Sequence, residues 1–206
     1  MQTLVIDCAT PACSVALFDG GLLIAGDWRE LGRGHAEALV PMIAALPGKG
    51  RAERIAVAIG PGSFTGVRVG LAAAKALAMA WKVPLLGYPT MDLVAAQARA
   101  ERGAVPVTVC MTGGHGEWFV QEFGGDGSAL GQVASLRPDD AVALAQSALV
   151  AGSEAAALVP RRGSGEALHL LPDARCFALL SEAKLTPDPA PLYGRPPDAR
   201  LPEPAR

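Results

Sequence analysis

The sequence predicts an α/β protein made of two similar lobes, each a mixed sheet flanked by helices. Three observations predict it. Signals in the order strand, strand, strand, helix, strand, helix, strand fill the first half of the chain and restart near Val105, so an internal duplication comes before any single motif. Tight turn signals, such as Asp19-Gly20-Gly21, join the first strands of a run into an antiparallel meander. Ile55-Ala56-Val57-Ala58-Ile59 is an unbroken apolar run of strand length, which suits a parallel strand covered on both faces. A meander leading into helix-covered parallel strands makes a mixed-sheet α/β lobe.

The elements follow in order. Leu4, Ile6 and Cys8 alternate with Val5 and Asp7, and the strand breaks at Thr10-Pro11. Residues 14–18 and 22–25 complete the meander. A helix over 35–46 carries Leu39, Met42, Ile43 and Leu46 on one face and stops at Pro47-Gly48-Lys49-Gly50. The strand at 55–59 runs into a glycine-rich loop, Gly60 to Gly66, and a helix to Lys82. A short strand over 83–86 and a helix over 91–100, capped by Thr90, end the first run. The second run predicts strands at 105–111, 117–123 and 130–133, with turns at 112–116 and 124–127. Pro138 opens a helix through Ser147, and Leu149-Val150-Ala151 is short and apolar. Pro172 opens a last helix with Ala174, Phe177, Ala178 and Leu180 inward. The tail from Thr186 to Arg206 is rich in proline and is expected to be an extended strap. The two lobes are placed at residues 1–102 and 103–206. At the level of fold, this duplicated pattern resembles the actin-like ATPases, with their ribonuclease H-like lobes, and the sugar kinases.

Composition narrows the function. Of 206 residues, 50% are hydrophobic and 18% are charged, which is the balance of a globular chain with a sizeable core. Net charge is −2, and Arg161-Arg162 is the one visible cationic cluster, so the chain is not expected to hold folded nucleic acid by itself. The Ala-rich stretch from Leu71 to Trp81 is interrupted by Lys75 and is too short to span a bilayer. The opening residues reach Asp7 without a charged-then-apolar leader, so the cytoplasm is the expected compartment. Cys8, Cys13, Cys110 and Cys176 form no C-x-x-C pair, which disfavours a zinc ribbon or a thioredoxin-type site. Cys8 and Cys13 could meet across a turn; the plainer reading is small buried thiols in a reducing compartment.

The loop Gly60-Pro61-Gly62-Ser63-Phe64-Thr65-Gly66 is the strongest local signal. A strand-to-helix loop offers backbone N–H groups to an anion, and glycine admits close approach of a ligand or of another backbone. Its spacing fails the P-loop, which needs a lysine, and the dinucleotide fingerprint, whose third glycine position holds Thr65. It also fails the nucleophile elbow, because Pro61 and Thr65 flank Ser63. A phosphate loop and a ligand-free connection both remain open. Asp7 and Thr10, at the end of the first strand, stand where an actin-like fold places a metal-assisting carboxylate and a phosphate-wrapping turn; an ordinary turn aspartate reads equally well. Among His35, His115 and His169 no two stand four residues apart, so no metal ligand set and no catalytic residue is assigned. Gly66, Gly70, Ala74 and Ala78 form a stripe of small residues that fits close packing on the chain's own sheet or on a partner helix.

Four segments together resemble a known family. Ile6-Asp7-Cys8-Ala9-Thr10 with Ser14-Val15-Ala16-Leu17 is similar to its opening strand, turn and strand. His35-Ala36-Glu37-Ala38-Leu39-Val40-Pro41 is similar to its first helix, and Gly60 through Gly70 to its signature. Pro191 through Ala199 is similar to its C-terminal strap. The family is TsaB, also called YeaZ. The resemblance implies a two-lobed actin-like fold and a non-catalytic scaffold in the synthesis of N6-threonylcarbamoyladenosine in tRNA. It implies a heterodimer with the catalytic paralogue TsaD, an ATPase partner TsaE, a homodimer when alone, and contact with tRNA only through the complex. It implies no cofactor for this chain, with weak ADP or ATP binding in the complex left open at Asp7, Thr10, Gly60, Gly62, Ser63, Thr65 and Gly66. It places the partner surface on the first two helices, at His35, Leu39, Met42, Arg68, Leu71, Ala72 and Lys75. The turn Thr112-Gly113-Gly114 departs from the family's Asp-Ala-Arg. The rival reading is a free-standing actin-fold ATPase or kinase, or a glycoprotease-like hydrolase.

Overall fold

The computed structural model describes residues 1–194. Two mixed sheets share one plan. In the first, β1 (Gln2–Asp7), β2 (Ala12–Asp19) and β3 (Leu22–Glu30) form the antiparallel meander. β4 (Arg54–Ala58) lies parallel to β1, and β5 (Leu85–Tyr88) parallel to β4. In the second, β6 (Val107–Thr112), β7 (Trp118–Phe123) and β8 (Ala134–Leu136) repeat the meander. β9 (Leu149–Ala151) and β10 (Glu166–Leu168) add the parallel pair. The helices repeat too: α1 (His35–Ala45) and α2 (Phe64–Trp81) correspond to α4 (Pro138–Leu144) and α5 (Ala155–Arg162).

Two segments cross between the sheets. Helix α3 (Thr90–Arg102) follows β5, yet its Met91, Val94, Ala95 and Ala98 pack with Val107, Val109, Phe119 and Phe123 of the second sheet. In return, a 3-10 segment at Ala174–Leu179 lays Ala174 and Phe177 on the first core, where the Phe177 ring meets those of Phe18 and Tyr88. The strand β11 (Thr186–Pro187) then pairs with β5. Ion pairs fasten this return: Arg54 grips Glu182 through two hydrogen bonds of 2.9 and 2.7 Å, and Lys184 meets the buried Asp92 at 2.6 Å.

Several expectations need correction. Thr90 is the first residue of α3 rather than its cap; Pro89 stands at the cap position. The third strand of the second run is at Ala134–Leu136 rather than 130–133, because Leu130 N–H and the Gly131 carbonyl are held by Glu122 and Gln121 in a loop. The helix at Pro138 ends at Leu144. Pro172 opens no α-helix: the Asp173 and Ala174 amides are drawn to Gln97 and Ser14, and only a 3-10 turn forms. Helix α5, with Pro160 inside it, and the largely exposed three-residue β10 are too short and too weakly patterned to be read from sequence. The expected strap at 195–199, like the rest of the tail beyond it, lies outside the described residues.

Candidate functional site

Strand β1 ends at Asp7, and the turn 8–11 that follows is the hub of the first lobe. The Ala9 carbonyl accepts the Ser63 amide at 2.7 Å, and the Pro11 carbonyl accepts those of Leu31 and Gly32. His35 Nε2 faces the Thr10 carbonyl at 2.8 Å and that of Ala12 at 3.3 Å, so this nitrogen carries the proton. Helix α2 is capped by Ser63, whose hydroxyl accepts the Gly66 amide at 3.2 Å. This hub explains the glycines. A Cβ on Gly62 would strike the Ala9 carbonyl oxygen, and one on Gly66 that of Cys8. At these two positions the loop needs glycine because another backbone of the same chain lies against it. The amides of Ser63 and Gly66 are thereby engaged within the protein. The small-residue stripe continues the same contact: Gly70, Ala74 and Ala78 are buried where α2 packs on β1 and β4.

Asp7 does not line the cleft. It is fully buried, its Oδ1 accepts the Ala9 amide at 2.9 Å, and its Oδ2 lies 3.2 Å from the Tyr88 hydroxyl. Burial pushes its carboxyl up to about 7, against these two hydrogen bonds, which favour the charged form. The expected metal-assisting role is corrected accordingly: the side chain points into the core rather than the cleft. Thr10 lines the cleft, while its hydroxyl accepts the Ala12 amide at 3.3 Å.

The cleft lies between the lobes and has a volume of about 730 Å³. The turn 9–11 and residues 62–64 line one side, and the second-lobe turn at 112–115 with Ser153 lines the other. Gly60 is beneath the chain's return, with the Leu192 carbonyl 2.9 Å from where its Cβ would be. Arg68 places its guanidinium 3.3 Å over the Phe64 ring and donates to the Tyr193 hydroxyl at 2.8 Å, which closes the rim. Thr65 is exposed at the start of α2. Thr112 is held by Ser153 and Glu154, with its hydroxyl 2.6 Å from the Glu154 carboxylate. Among the described residues, no group of three or more His, Cys, Asp or Glu could hold a metal ion. A second cavity of about 1060 Å³, between Pro106, Gln121 and Glu166, was not foreseen; the Glu122 carboxylate at its wall is taken up by Thr108, Gln146 and Ser147.

The expected partner residues divide. Leu39, Met42 and Leu71 are core residues and His35 is buried at the hub, so these four are corrected from surface to interior. They are the inward apolar positions of α1 and α2, and that same apolarity drew attention to them. Arg68, Ala72 and Lys75 are exposed on α2. Sequence reasoning missed Val40, 62% exposed, and Met79, 79% exposed. The signal was available: once Leu39, Met42, Ile43 and Leu46 point inward, an apolar residue at position 40 must point outward. Helices α1 and α2 pack side by side. They leave Val40, Ala72, Ala76 and Met79 outside the core.

Residues 29–158 match the protein-family model described as TsaD: tRNA N6-adenosine threonylcarbamoyltransferase. The TsaB protein of Escherichia coli is 35% identical over 128 residues, which are 60% of this chain and 55% of that one. The TsaB protein of Bacillus subtilis is 30% identical over 110 residues, 51% and 48% of the two chains. A Pseudomonas aeruginosa structure described as similar to peptidase YeaZ superposes with a TM-score of 0.77 at 28% identity, covering 94% of this chain and 99% of that one. The chain belongs to the TsaB (YeaZ) family. The curated TsaB relatives are matched over about half their length. TsaB and YeaZ likeness is fullest in structure: YeaZ of P. aeruginosa superposes over 86% of this chain with a TM-score of 0.73. The duplicated ribonuclease H-like fold is thus common to this chain and its family. Among the described residues, no helix is long and apolar enough to cross a membrane.

Proposed function

We propose that this chain is the scaffold subunit of a machinery that makes N6-threonylcarbamoyladenosine in tRNA, and that it binds a TsaD-like catalytic paralogue through the outward face of α1 and α2. The TsaB relatives are named for biosynthesis of this nucleoside, and the matching family model carries the TsaD description. The observation that carries the reading is that outward face, where Val40 and Met79 stand exposed beside small alanines. Exposed apolar residues of this kind, with Arg68 and Lys75 exposed on the same helix, suit a helix-on-helix interface of about 800 Å² per partner. The scaffold role leaves the chemistry to the partner. A TsaE-like ATPase joins the complex, the isolated chain pairs with itself on the same face, and tRNA is reached through the complex. ADP or ATP, where it binds at all, does so weakly and within the complex.

Co-expression with the TsaD-like paralogue of the same genome tests this. The two proteins should co-purify, and Val40→Arg or Ala72→Arg should abolish the pair while thermal melts stay within about 2 °C of the parent, as expected for exposed positions. Unchanged affinity in both variants would place the interface elsewhere. The isolated chain should not transfer threonylcarbamoyl to tRNA; turnover by the chain alone would favour the free-standing enzyme.

A further inference from the structure

We propose that Cys8 and Cys13 are a peroxide-oxidisable dithiol whose disulfide closes the β1–β2 hairpin and locks the turn on the floor of the cleft. The register brings them together: Ile6 faces Val15 and Asp7 faces Ser14, so the next pair outward is Cys8 opposite Cys13. Their sulfurs lie 3.6 Å apart. Residues facing each other across antiparallel strands have Cα atoms about 4.5–5.5 Å apart, inside the span a disulfide bridges. Bond formation then needs only a closure of the two sulfurs to about 2.05 Å. Gly70 of α2 leaves the space beside the Cys8 sulfur open to such a movement, since it has no side chain there. Cys110, on β6, and Cys176, in the 174–179 turn, sit elsewhere in the fold and serve as internal controls.

The two thiols are unequal. The hydrogen bond from the Cys8 thiol holds Cys13 below the usual thiol range, and Arg29, directly opposite on β3, acts in the same direction, while burial and the Asp7 and Asp27 carboxylates act against it. Cys13 is therefore the first nucleophile. Its thiolate attacks one oxygen of hydrogen peroxide, the O–O bond breaks, and a sulfenic acid and hydroxide form. The Cys8 sulfur then attacks the sulfenic sulfur; the S–S bond forms, the S–O bond breaks, and the thiol proton leaves with hydroxide as water. In sum, two thiols and one peroxide give one disulfide and two waters, with two electrons passed to the peroxide. Both sulfurs are buried, but residues 9–11 between them line the cleft, and peroxide is close to water in size. The cross-linked segment 8–13 is the hub that ties Ser63 of α2, His35 of α1 and the end of β3 together, so the bond restrains the base of both outward helices.

The test uses the full chain, treated with hydrogen peroxide under native conditions, then alkylated in denaturant and analysed by mass spectrometry. The folded protein should lose about 2 Da, with Cys8 and Cys13 in one cross-linked peptide, Cys110 alkylated, and full reversal by dithiothreitol. Its Tm should rise by about 5 °C, as expected for a short closed loop. Cys13→Ser should abolish the mass loss. The double variant Cys110→Ser/Cys176→Ser retains the pair and should behave as the parent, which keeps the test valid if Cys13→Ser folds poorly. No mass loss in that double variant, stable sulfinic acid at either site in place of the bridge, or a bridge that leaves the Tm unchanged would overturn the proposal.

Discussion

Asp7 carries a charge problem that the fold solves only in part. Burial pushes its carboxyl up to about 7 from 3.8, and the groups that act on it are the Ala9 amide, Tyr88 and Asp173. A raised carboxyl gives a stabilising contribution that is present below the unfolded value and lost as pH rises through the folded one. Stability should therefore fall between about pH 4 and pH 7 by up to about 4 kcal/mol from this group. Asp7→Asn removes the charge and keeps an acceptor for the Ala9 amide. Denaturant melts at pH 5 and pH 8 should show the parent losing stability with pH and the variant flatter; parallel curves would mean that Asp7 ionises freely in the fold. The glycines give a second prediction at this scale. Gly62→Ala and Gly66→Ala should each cost about 1–3 kcal/mol, because the new methyl meets a backbone carbonyl that cannot step aside. A urea midpoint unchanged in both would mean that the hub yields. The presence of these glycines was legible in the sequence, but what they approach was not: a phosphate and the 8–9 carbonyls impose the same demand on residue type.

Helices α1 and α2 were legible as elements, since their apolar spacing and their glycine or proline boundaries act locally. Their two faces were harder to tell apart. Both helices are rich in alanine, and the inward Leu39, Met42 and Leu71 differ little in character from the outward Val40 and Met79. Met42→Ala should cost about 2–5 kcal/mol by opening a cavity between α1 and its sheet, whereas Ala72→Arg should move stability by no more than about 0.5 kcal/mol. Urea unfolding of the pair decides the point; a stable Met42→Ala beside an unfolded Ala72→Arg would reverse the assignment of faces. The short elements of the second lobe show the opposite limit. β10 is held by β9 across helix α5, β11 by the distant β5 of the first sheet, and both carry little pattern of their own.

For the whole molecule, the exchange of α3 and the 174–187 segment makes each sheet depend on the other half of the chain. Trp28 Nε1 donates to the Pro172 carbonyl, and Phe177 covers Tyr88. A chain ending at residue 172 should therefore lose stability in the first lobe, although strands β1 to β5 are all retained and only the two-residue β11 is lost from their sheet, and its Trp28 emission should shift to the red. An unshifted spectrum and an unchanged melt would make the return segment dispensable. Net charge acts at the same scale: at −2, the isolated chain should bind tRNA weakly at physiological salt, and submicromolar affinity in a filter-binding assay would contradict that.

The sequence by itself determined the local period of each long element, the turns between the meander strands and the duplication, because these depend on neighbours along the chain. It also carried the family likeness in its first 90 residues. Only the tertiary structure decided that Asp7 is buried, that the glycine loop lies against the turn after β1, and that Met42 is inside and Val40 outside. It also decided that α3 belongs to the second core and that Cys8 meets Cys13. Each of these depends on which surfaces are brought together across long separations in the chain, and burial, pKa and close approach have no value until that packing exists.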